Sequence, residues 1–150
     1  SVYFESINID AIFLGYLDAF YVKDFDRFNY EYLYNKSNLI PDFFFGTEFS
    51  THRLKYSRPD KTTSSVITTE FSLFEEPIFI DSNDEIDKFK LICDTHATIY
   101  TDEMKYESLV KDKCRVLSEY CNVLHTNLRD LFVQLVQKDV LEKVGIKEAE

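Results

Sequence analysis

Cys114, Cys121 and His125 stand seven and four residues apart in the stretch CRVLSEYCNVLH. That spacing lines them along one side of a helix. Thiolate and imidazole are the donors zinc prefers, so the first chemistry to test is a metal site. Helix length excludes the two cysteines as co-ligands: seven residues rise about 10.5 Å, against Zn–S bonds of about 2.3 Å. The same separation exceeds the ~7 Å between Cα atoms that a disulfide tolerates. A different set survives. Cys121 and His125 are one turn apart, and Cys93 and His96 form a second pair upstream. Were the two segments antiparallel helices, Cys93, His96, Cys121 and His125 would converge as a zinc site. The competing expectation is ordinary thiols in a packed helix, since free cysteine behaves as a small buried hydrophobe. On that reading no cofactor is required.

Two other groupings carry possible chemistry. His52, Arg53, Lys55, Arg58 and Lys61 make a basic cluster in a chain of net charge -10. On a strand, Arg53 and Lys55 share a face, where they would grip a phosphate, an acidic peptide or a nucleic-acid backbone. Alternatively, such cations guard a strand edge against pairing. Nucleic acid is the lesser expectation, because the acidic whole repels it. For metal-dependent nuclease chemistry, Pro41 and Asp42 precede Glu48, and Pro59 and Asp60 precede Glu70. In both places the slot for the lysine holds serine, Ser50 or Ser72. The acids Glu75, Glu76, Asp81, Asp84, Glu85 and Asp87 lack the spaced ligands and central glycine of a calcium loop. Gly15, Gly46 and Gly145 stand alone, which excludes a glycine-rich phosphate loop.

The elements that must position these residues read as three zones. Over 7–35, Ile9, Ile12, Phe13, Leu17 and Phe20, then Tyr21, Phe25, Phe28 and Tyr32, step by three and four, which predicts a helix or a helix pair divided near Asp24. Over 43–81, β-branched and aromatic residues predict a central antiparallel sheet of three to four strands. Pro59 and Asp60 turn a hairpin within it, with FFFGTEF before and PIFID after as further strands. Ser82 and Glu85 resemble a capping box opening a helix over 84–100. A last, long amphipathic helix runs from Thr101 to about Val144, where Gly145 and Ile146 make a C-terminal stop.

Along that helix Val110, Cys114, Leu117, Cys121, Leu124, Leu128, Leu131 and Leu135 alternate steps of four and three, a heptad seam. About 60 Å of helix outreaches a small domain, so the seam is expected to meet a protein partner or a second copy. The chain as a whole reads as one α+β domain over 1–150, its lone Met104 and initial Ser1 suggesting excision from a larger protein. No apolar run reaches the ~18 residues of a membrane span. Three cysteines, an odd and small number, fit free thiols in an intracellular, reducing compartment. The functional expectation is a non-catalytic interaction or assembly domain, docking or dimerising through Val110, Leu117, Leu124, Leu128, Leu131 and Leu135. The alternatives are polyanion binding at the basic hairpin and a nuclease-like enzyme.

Overall fold

A computed structural model describes residues 7–22, 30–46, 51–80 and 85–146. Four strands form one sheet: β1 (Asn8–Val22), β2 (His52–Asp60), β3 (Ser65–Ile80) and β4 (Glu85–Lys105), in the order β1-β4-β3-β2. Helix α1 (Tyr106–Leu135) and the short α2 (Lys138–Lys143) follow. One-turn 3-10 segments lie at Tyr30–Tyr32 and Asp42–Gly46.

The predicted N-terminal helix is a strand. In β1 apolar residues occupy both alternations, so steps of three and four appear in the sequence without a helical cause. Ile, Phe and Tyr favour the pleat, and Gly15 at its middle disfavours a helix. The helix predicted over 84–100 is also a strand, β4, whose Cys93, Thr95, Ala97 and Ile99 are buried at every second position. Thr95, Thr98 and Thr101 within it are β-branched strand formers. Asp24 and Ser82 lie outside the described residues, as does the end of FFFGTEF; its described part is the 3-10 turn at Asp42–Gly46. The PIFI of PIFID ends β3 rather than forming a strand of its own, and Asp81 lies outside the described residues.

The hairpin between β2 and β3 is present. The Asp60 carboxylate accepts from the Thr63 amide and hydroxyl, both at 2.8 Å, which closes the turn. Between β1 and β4 the pairing is antiparallel: Tyr106 N–H donates to the Ile7 carbonyl, and further along Gly15 lies against His96. Asp102, with φ 45°, sits in the left-handed region within β4.

The long helix is shorter than its heptads suggest. Lys111, Asp112, Lys113 and Cys114 have non-helical dihedrals, the last three with positive φ. Continuous helix spans 115–135, about 31 Å. The seam is broken between Val110 and Leu117. At the far end the expected stop is present: Gly145, φ 81°, donates to the Glu142 carbonyl and Ile146 to that of Leu141, a Schellman closure.

The chain forms two compact units. One comprises Ser1–Tyr16, Lys55–Glu70 and His96–Arg129; among its described residues Ile12, Ile67, Ala97, Ile99, Leu109, Leu124 and Leu128 are the buried apolar core. The other comprises Leu17–Leu54, Phe71–Thr95 and Asp130–Glu150, and buries Tyr34, Ile40, Phe44, Phe71, Leu73, Leu91, Leu131, Leu135 and Leu141 among others. In this second unit consecutive residues are buried at 71–73 and 91–93, so both sheet faces are covered there. No helix among the described residues is long and apolar enough to cross a membrane.

Candidate interaction edge

The four zinc candidates do not gather. Three residues apart on a strand, Cys93 and His96 point to opposite faces of the sheet. Cys93 is fully buried, and burial, aided by the charges of Asp18 and Asp94, pushes its thiol up to about 12. His96 instead packs its ring against Phe13, centroids 5.5 Å apart. His125 shares a 2.6 Å hydrogen bond with the Tyr16 hydroxyl through Nδ1, and Cys121 is exposed. Among the described residues no three His, Cys, Asp or Glu side chains are placed to hold a metal ion.

The basic cluster is split by the pleat of β2. His52 lies against Phe44 and Phe71 and donates through Nε2 to the Leu39 carbonyl at 2.6 Å. Arg58 donates to Asn127 Oδ1 at 2.5 Å, and Asn127 in turn donates to Thr69 at 2.8 Å. These two side chains serve internal packing. Arg53 and Lys55 occupy the other alternation, Arg53 bonded to the Ser72 hydroxyl at 3.0 Å, and β2 is an edge strand. Cations there discourage a further strand from pairing.

The nuclease carboxylates are equally scattered. Asp60 is committed to its turn, and Glu70 lies five residues beyond the far end of that turn, roughly 17 Å along β3. Glu48 lies outside the described residues. Glu75 has both carboxylate oxygens buried without a partner among the described residues, and burial raises it to about 7.

Of the seam residues, Leu124, Leu128, Leu131 and Leu135 are between 0% and 2% exposed in the single chain. Their contacts are already made internally, and docking through them would require the helix to leave its place. Val110 and Leu117 are half-buried and lie on either side of the interruption in α1.

The exposed apolar surface is on β1 instead. Among the described residues this is the other edge of the sheet, paired through β4. One alternation carries Ile12, Leu14, Tyr16, Asp18 and Phe20, and of these Ile12 is buried. The opposite alternation reads Ala11, Phe13, Gly15, Leu17, Ala19, Tyr21; all six are exposed and none is charged. Phe13, Leu17 and Tyr21 are 62%, 67% and 68% exposed. The row extends roughly 33 Å. Natural edges are usually blunted by lysine, proline or inward charge; the exposed row of β1 has no lysine or proline, and the charges of the strand, Asp10 and half-buried Asp18, lie on the other alternation. The sequence reading placed Phe13, Leu17 and Tyr21 in a helical stripe. The available signal was that β1 keeps its charges, Asp10 and Asp18, on one parity only.

Comparison with models of known families, with curated proteins and with solved structures finds no match to this chain.

Proposed function

We propose that the protein is a non-catalytic interaction or assembly domain that docks its partner by strand addition along β1. The observation carrying this is a 15-residue edge strand whose exposed alternation is uncharged from Ala11 to Tyr21. Unpaired backbone groups on such an edge supply main-chain hydrogen bonds, and alternate side chains supply specificity. The function class is the one expected from sequence; the surface moves from the helix, whose leucines are spent internally, to the strand. Polyanion binding gains no support from cations divided between two faces.

The test is selection from a displayed library of short extended peptides, followed by rebinding to Leu17→Lys. Leu17 is 67% exposed, so lysine there leaves the fold intact, which circular dichroism checks. Captured peptides lost on Leu17→Lys support strand addition. Capture indifferent to Leu17→Lys, or no capture by a chain that is also monomeric, removes it.

A further inference from the structure

We infer that the partner at β1 is a second copy of the chain, paired antiparallel across a two-fold axis at Gly15; this rests on the edge reading above. The exposed row is a near-palindrome about that glycine: Ala11, Phe13, Gly15, Leu17, Ala19. A two-fold interface uses the same patch twice, so it must be self-complementary. With Gly15 opposite Gly15, Phe13 meets Leu17 of the other copy and Ala11 meets Ala19. Tyr21 then meets Ile9. Aromatic–aliphatic cross-strand pairs of this kind stabilise antiparallel strands.

Gly15 has a definite part in this arrangement. A Cβ built on it would lie 3.3 Å from two carbons of the Phe13 ring, so the ring already leans over the glycine. An aromatic side chain covering a strand glycine restores the packing the glycine lacks. At the axis two such rings would cover two glycines.

The acids select the register. With Gly15 at the axis, Asp10 faces Phe20 and Asp18 faces Ile12 of the second copy. Moving the axis to Leu14 sets Asp10 directly opposite Asp18, where like charges destabilise. It also pairs Phe13 with Gly15. Moving the axis to Tyr16 opposes Leu17 to Gly15 and Phe13 to Ala19, losing the match of large with large.

The experiment uses two proteins with one accessible cysteine each, Ala11→Cys and Ala19→Cys, both carrying Cys114→Ser and Cys121→Ser and keeping the buried Cys93. Mixed and oxidised, they should give a reducible covalent dimer. Either alone should not, because its cysteines would stand roughly 26 Å apart across the axis. Sedimentation of the otherwise unaltered chain should show a dimer that Leu17→Lys weakens at least tenfold, with Phe13→Ser as a second variant. A mixture that stays monomeric, or singles that cross-link as readily as the mixture, overturns the inference. Should the mixture fail while displayed peptides still bind through Leu17, the second copy is lost and the edge reading stands. Should both fail, both fall.

Discussion

Replacing Asn127 with alanine should destabilise the protein by about 2–3 kcal/mol. Asn127 is 4% exposed and is the middle of a chain of donors, taking a 2.5 Å bond from Arg58 and giving a 2.8 Å bond to Thr69. A hydrogen bond from a charged group contributes about 1.5–3 kcal/mol, and a buried hydroxyl left unpaired costs about 1–3 kcal/mol. Arg58 is exposed and regains water, which puts its share at the low end; Thr69 is 0% exposed and regains nothing. Urea unfolding measures the sum. With a slope of about 2 kcal/mol/M, the midpoint should fall by about 1 M or more. A double-mutant cycle sharpens the result. Thr69→Val with Asn127→Leu removes both polar partners, so the pair should lose less than the sum of the singles by at least about 1 kcal/mol. An Asn127→Ala cost under about 0.5 kcal/mol, the range of indifferent surface changes, would refute the argument. So would strict additivity.

Thiol titration with an aromatic disulfide at pH 8 should find Cys121 reactive and Cys93 silent until denaturant is added, since burial holds the Cys93 thiol near 12. Glu75 should make stability fall as pH rises. Its folded pKa, about 7 against an ordinary 4.5, means the native state binds more protons across that window, and ionising the buried carboxyl is unfavourable. Glu75→Gln should therefore raise Tm at pH 8 and change it little at pH 4. Leu124→Ala should cost about 2–5 kcal/mol in chemical unfolding, as a core truncation does. Leu117→Ala, half-buried, should cost clearly less. Zinc should leave Tm unchanged, because Cys93 and His96 face opposite sides of β4.

Period was legible where one parity was apolar and the other was not. The hairpin around Pro59 and Asp60 and the stop at Gly145 were readable because each rests on local chemistry within a few residues. β1 was not, because a strand apolar on both parities contains every spacing a helix would show. β4 was misread through Ser82 and Glu85, whose spacing suits a capping box whatever follows. The helix leucines share one stripe along 117–135, yet the sequence could not say what lies opposite them. Their occupant turned out to be the chain's own core, and the exposed surface passed to residues assigned to a stripe.

The ties between 30–37 and the end of α1 set an order of events. Tyr34 bridges Val136; the Asn35 side chain donates to the carbonyls of Gln134 and Val136; the Gln137 side chain donates to those of Glu31 and Tyr34. Backbone bonds from Asn35 to Leu135 and from Gln137 to Leu33 run beside them. All join residues about a hundred positions apart, contacts whose loop must close before they give anything back. On a ribosome, Tyr34 is made long before Val136 exists. Until the end of α1 emerges, residues 30–37 lack these partners, and a chain ending short of Gln137 never supplies them. The vulnerable time of residues 30–37 is therefore the interval between their own synthesis and that of α1.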